Sequence, residues 1–201
     1  MEAGGIKSRA RTARRREILQ AALACFEELG YEASTIEDIR RRSGASIGSI
    51  YHHFGGKAGI ASALYAEGLE DYQAGLLARM RRSRSARALV KAVVRHHLDW
   101  AEAKPAWARY LMGMRRLEAV AAIELRLREI NQGFVREAGA LIRPCMDEGE
   151  IARLPFEVLL SSLFGPAQEF LRLWLSGRTD LGLRQARELL AKAAWKSVQP
   201  D

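Results

Sequence analysis

A chain of 201 residues, 48% hydrophobic and 7% aromatic, can bury a core of ordinary size. Ala, Leu, Arg and Glu dominate and no alternating Val/Ile/Thr run occurs, which excludes a β-rich fold. The net charge of +8 points to an anionic partner, nucleic acid or a membrane surface, or serves solubility alone.

Residues 1–12, with Gly4-Gly5 and scattered Arg, read as a flexible basic arm. A first helix is predicted over 12–29, where Ile18, Ala22, Cys25, Phe26 and Leu29 recur at helical spacing, and Gly30 ends it. Thr35 is a good N-cap with Asp38 three residues on, in the Glu/Gln role of a capping box, so a short helix follows over 36–43. Gly44 permits a tight turn, Ser46 caps a third helix over 47–54, and Gly55-Gly56 breaks it. Two short helices joined by a Gly-containing turn and leaning on a longer one make the helix-turn-helix pattern. Ile36, Ile39, Ile47, Ile50 and Phe54 supply its core. A unit of about 45 residues buries little surface alone and should depend on the helix that follows.

That fourth helix is predicted over 57–82. Its interior glycines, Gly59, Gly68 and Gly75, cost about 1 kcal/mol each in helix propensity, and close packing is the expected reason for them. The basic run over 79–95 contains no acid and reads as a solvated surface. Further helices are predicted over 86–103, 106–115, 117–147, 155–176 and 182–198, about nine in all, with Pro105 and Pro155 at breaks. The eighth, from Phe156 through Leu160, Phe164, Leu171 and Trp174, is apolar on nearly every side and must be buried on two. One side suits its own domain and the other a partner subunit.

Cys25 and Cys145 form no CxxC pair, which fits a reducing cytoplasm; Cys25 reads as an inert core thiol, with redox sensing a competing reading for Cys145. No apolar window is long enough for a membrane span, and no apolar segment follows the basic N-terminus as in a signal peptide. His52-His53 and His96-His97 are adjacent pairs, which point about 100° apart on a helix and rarely chelate one ion, so no metal and no cofactor is expected. No nucleophile elbow, phosphate-binding glycine loop, HExxH or Ser/His/Asp pattern occurs, so the chain does not read as an enzyme.

The run from Gly30 through Tyr31, Thr35, Asp38 and Ile39, then Gly44-Ala45-Ser46-Ile47-Gly48-Ser49-Ile50-Tyr51-His52-His53-Phe54-Gly55-Gly56-Lys57, resembles the TetR/AcrR family of bacterial repressors over about residues 13–65. Two positions depart from the pattern: Gly56 stands where Ser or Asn is common, and Ala58 where an acid is common. The resemblance implies an all-α fold. An N-terminal three-helix helix-turn-helix DNA-binding domain, residues 13–56, precedes a C-terminal helical ligand-binding and dimerisation domain, residues 57–201.

A recognition helix enters the major groove by its N-terminal residues. Ala45, Ser46, Ile47, Gly48 and Ser49 are slim enough for close approach, and Ser46 and Ser49 can bond a base or a phosphate. Ile47 fits either a thymine methyl or the core. Tyr51, His52, His53 and Lys57 read as backbone positioners, and Thr35 can present its hydroxyl and free N–H groups to a phosphate. The arm, with six basic residues among the first sixteen, either follows the DNA or is a solvated tail. Effector candidates are His97, Trp100, Trp107, Tyr110, Met114, Phe134, Phe164 and Gln168, although such residues at helical spacing also serve as plain core. The family's usual dimer implies an interface of helices eight and nine through Phe156, Leu160, Phe164, Leu171, Trp174, Leu189 and Trp195. The implied function is a cytoplasmic, ligand-responsive regulator, a homodimeric repressor released from a palindromic operator by a small molecule. A basic membrane-surface or protein-interaction module without specific DNA binding is the alternative.

Overall fold

The computed structural model describes residues 2–114 and 123–200, with side chains from residue 9 onward except Ala10. Among these residues all regular structure is helical. The elements are α1 (Glu2–Leu29), α2 (Ile36–Ser43), α3 (Ile47–Phe54), α4 (Lys57–Arg81), α5 (Ala86–Ala103), α6 (Pro105–Met114), α7 (Glu124–Asp147), α8 (Phe156–Leu175) and α9 (Leu183–Val198). Most boundaries fall within a residue or two of those that periodicity and capping predict. The predicted start of the seventh helix, at 117, lies outside the described residues.

One boundary differs clearly. α1 begins at Glu2, so residues 2–12 are helical here rather than a flexible arm. Lys, Arg and Ala are strong helix formers, no proline occurs before residue 105, and lengthening an existing helix requires no new nucleation.

The chain divides into two compact units. The first is Met1–Leu69 with Ala106–Leu127, the second Glu70–Pro105 with Arg128–Asp201. The division therefore falls inside α4 and α7, not at residue 56. The reason is the small size of the three-helix motif. Ile18, Ile39 and Ile50 reach full burial only with Ile60 and Leu64 of α4 in the same cluster. Tyr110 of α6 closes that core, stacking on Phe26 at 5.9 Å and donating its hydroxyl to the Ala61 carbonyl at 2.8 Å. Tyr110 and Met114, expected among the effector residues, are thus core residues of the first unit, 6% and 7% exposed. Trp107 packs against the same cluster.

The glycines of α4 do mark close approaches. A Cβ on Gly59 would lie 1.7 Å from the Phe54 carbonyl oxygen, and one on Gly68 2.6 Å from the Trp107 ring. In the second unit α5 packs on α8 and α9, and α8 on α9. Leu76, Met80, Val90, Leu159, Leu163 and Ala191 are buried at the centre of that core.

Candidate nucleic-acid interface and effector site

Local chemistry builds the helix-turn-helix as the sequence suggests. Thr35 accepts from the Asp38 N–H at 3.1 Å, Asp38 accepts from the Thr35 N–H at 3.0 Å, and Gly44 turns the chain at φ +65°. The Thr35 hydroxyl also donates to Asp38 Oδ2 at 2.6 Å, so its proton is committed to the cap. That donation, first, and the N–H and Arg41 bonds hold the Asp38 carboxyl below the usual carboxylate range. Ser46 caps α3 by accepting from the Ser49 N–H at 3.1 Å, which leaves its own hydroxyl proton available.

α3 has two faces. Ile50 is fully buried and Ala45, just before the helix, is 3% exposed. Ile47 and Tyr51, one turn apart, stand outward at 48% and 52% exposure, with Ser46, Gly48 and His52 also exposed. The sequence alternatives for Ile47 therefore resolve to the surface. Ala45, expected to touch DNA, instead packs in the core: it sits one residue before the cap and joins the cluster of Ile18, Ile39 and Ile50. Ser49 and His53 are half-buried. Burial first, then the charges of His52, Arg11 and Arg15, lower the His53 pKa, so Arg11 of α1 lies within electrostatic reach of the recognition helix.

Lys57 has a role that sequence reasoning missed. Its ammonium donates to the carbonyls of Tyr31, Glu32 and Ser34 at 2.9, 3.1 and 2.9 Å and lies 4.6 Å from the Tyr31 ring centroid. An ammonium has three donors, and all three are used. Lys57 ties the start of α4 to the turn between α1 and α2 and has no proton left for a phosphate.

In the second unit the sequence-predicted His97, Trp100 and Phe164 come together around Tyr72 of α4, a residue not singled out as a candidate. The Tyr72 hydroxyl and His97 Nδ1 are 3.0 Å apart. The Trp100 ring meets Tyr72 edge-on at 5.4 Å, and Phe164 meets His97 at 6.0 Å. His96 Nε2 donates to the Tyr72 carbonyl at 2.8 Å, an approach open because Gly75 has no side chain: a Cβ there would lie 2.7 Å from the ring. The glycine was the available signal for this clasp. Burial, first, then the neighbouring His96, pushes the His97 pKa down to about 4. His97 Nε2 and His96 Nδ1 are buried without a hydrogen-bond partner. Gln168 itself is exposed, and Phe134 is half-buried against the second core.

The expected dimer residues divide as follows. Leu171, 2% exposed, is buried in its own unit, because it lies on the α8 face shared with Leu159, Leu163 and Ala167. Phe156, Leu160, Phe164, Trp174 and Trp195 are half-buried, and Leu189 is 57% exposed. Val158 of α8 is exposed as well, at 47%.

Residues 18–64 match the family described as bacterial regulatory proteins, tetR family. The chain is 45% identical over 53 residues to the HTH-type transcriptional repressor AcnR of Corynebacterium glutamicum, a match covering 26% of this chain and 28% of AcnR. It is 25% identical over 169 residues to the HTH-type transcriptional regulator RutR of Escherichia coli, covering 83% of this chain and 77% of RutR. The fold is shared with the regulator FadR of Bacillus subtilis, solved with stearoyl-CoA: the TM-score is 0.78 at 18% identity, over 92% of this chain and 99% of that one. The matched part of AcnR is under a third of its length.

Proposed function

We propose that this chain, whose N-terminal segment is a TetR-family helix-turn-helix domain, is a DNA-binding transcriptional regulator, a repressor that a small effector releases from a palindromic operator. One observation carries the reading: a short, N-capped α3 holds two large side chains, Ile47 and Tyr51, out in solvent beside the slim Gly48. Exposing apolar surface is unfavourable by about 25 cal/mol per Å2 unless a partner covers it, and a major groove with thymine methyls would. AcnR, 45% identical to this chain over 53 residues, is an HTH-type transcriptional repressor.

A palindromic operator requires two recognition helices, hence a homodimer. The exposed Val158 and Leu189 on α8 and α9 support an interface there. The effector reading rests on the cluster of Tyr72, His97, Trp100 and Phe164, where His97 Nε2 is a buried polar atom that a ligand group would satisfy. Among the neighbours in fold, FadR binds an acyl-CoA. α4 belongs to both units and is the covalent route by which an effector would bias the DNA-binding unit. The effector must bind the DNA-free form better than the bound one. No described helix is long and apolar enough to cross a membrane, and a cytoplasmic site of action accompanies the regulator reading.

The test is binding to genomic fragments, including the region upstream of the chain's own gene, at several salt concentrations. Wild type is compared with Gly48→Glu and Tyr51→Ala. A tight saturable site lost in both variants supports the proposal. Weak, sequence-blind binding unchanged in both would favour a basic surface module instead.

A further inference from the structure

A cavity of about 620 Å3 opens between the last turns of α7, the connector that follows and the first turn of α8. Its size lies in the range of small-molecule sites. Ile142 and Leu159, 5% and 2% exposed, line it together with the half-buried Met146 and Phe156. Two cations stand at the same cavity: Arg143 of α7 and Arg153 of the connector. Both are exposed, and neither has an ion-pair or side-chain hydrogen-bond partner among the described residues. Other arginines of this unit are committed to acids, as Arg79 and Arg187 are to Asp99 and Arg95 to Glu188. Asp147 is the one acid in the lining, so two guanidinium groups face one carboxylate.

Those features select a ligand class. A purely apolar molecule would make no use of the guanidinium groups. A compact polyanion would leave the walls of Ile142, Met146, Phe156 and Leu159 uncovered. A single carboxylate on an apolar tail answers both, since guanidinium binds carboxylate through paired, charge-assisted N–H donors. We infer that the cavity between α7 and α8 binds an amphipathic carboxylate, its tail on Ile142, Met146, Phe156 and Leu159 and its head on Arg143 and Arg153. The site shares no residue with the recognition helix or with the His97 cluster; Phe156 is the one wall residue also expected at the dimer interface, and the arginine arm of the test does not depend on it.

The test is calorimetric titration of the full chain with decanoate and, separately, with decanol, near neutral pH where the acid is ionised. Two variants separate the head from the tail. Arg143→Gln/Arg153→Gln removes the charge from exposed, unpaired positions. Gly139→Leu fills the cavity: Gly139 lines it, and a Cβ there meets nothing within 4 Å. The expected result is decanoate binding at least about tenfold tighter than decanol in the wild type. The double arginine variant should hold decanoate no better than decanol, and Gly139→Leu should lose both ligands. Unchanged melting of each variant shows that the fold is kept, and either variant alone decides if the other fails to fold. Equal affinity for the two ligands, decanoate affinity unchanged in a folded variant, or no decanoate binding by the wild type overturns the assignment.

Discussion

Replacing Lys57 by Met separates a structural role from a DNA-contacting one. The structure gives the ammonium three carbonyl acceptors between 2.9 and 3.1 Å and a ring at 4.6 Å. Hydrogen bonds to a charged group contribute about 1.5–3 kcal/mol each, and a partly exposed cation–π contact about 0.5–1. Methionine keeps most of the stem's packing and water can replace the lysine at the exposed Glu32 carbonyl, so the net loss is about 2–4 kcal/mol. For a chain of this length each kcal/mol moves Tm by about 2–4 °C, so Lys57→Met should melt roughly 4–16 °C below wild type. Scanning calorimetry measures this, beside DNA titrations at several salt concentrations. Were Lys57 a phosphate contact instead, melting would hold and the salt slope would fall by about one. That pair of results would refute the assignment.

Other substitutions probe the remaining assignments. Gly48→Glu has open space around its Cβ, so Tm should stay within about 1 °C while specific DNA binding is lost, by melting and band-shift assays. Gly59→Ala forces a methyl into the Phe54 carbonyl and should destabilise the first unit by several kcal/mol, roughly 3 or more, by denaturant titration. His97, with a native pKa of about 4 against 6.5 unfolded, binds its proton in the unfolded chain first. Its contribution to stability is complete above pH 6.5 and is lost as pH falls towards 4, by about 3 kcal/mol in all. An NMR titration in which His97 protonates near 6.5 would contradict this. Leu189→Arg, or Val158→Arg, places a charge in the proposed interface and should convert a dimer to a monomer in light scattering, without unfolding the exposed positions it changes.

The helices were legible because capping and periodicity are local. Thr35 with Asp38, Gly44, and Ser46 act within four residues of themselves, and the structure repeats them as hydrogen bonds and a left-handed turn. What was not legible depends on partners far along the chain. Tyr110 has the look of a cavity residue, but its place is fixed by Phe26 and Ala61, far away in sequence. Lys57 sits where a phosphate contact is expected, and only the path of the α1–α2 turn shows that carbonyls meet it. Leu171 belongs to an all-round apolar helix, and periodicity cannot say which stripe faces inward. The helical start of α1 was hidden by Gly4-Gly5, a local signal outweighed by the helix formers that follow.

The net charge of +8 marks the DNA-binding unit less directly than it suggests. In α2 the cations are committed: Arg40 to Glu37, Arg41 to Asp38 and Arg42 to Glu28. Lys57 is spent on carbonyls, and Arg15 pairs with Glu67 while lying over Phe54. Arg11 and Arg16 of α1 are exposed and make no ion pair among the described residues, and the charge of Arg11 reaches His53 at the end of α3. On the proposed function, the two tasks of DNA binding fall on different helices: the unpaired charge lies on α1, and α3 offers the almost uncharged Ile47, Gly48 and Tyr51 face. On that reading a recognition helix this poor in cations needs charge from elsewhere, and Arg11 and Arg16 lie on a helix, α1, whose Ile18, Ala22 and Phe26 share one core with Ile50 of α3.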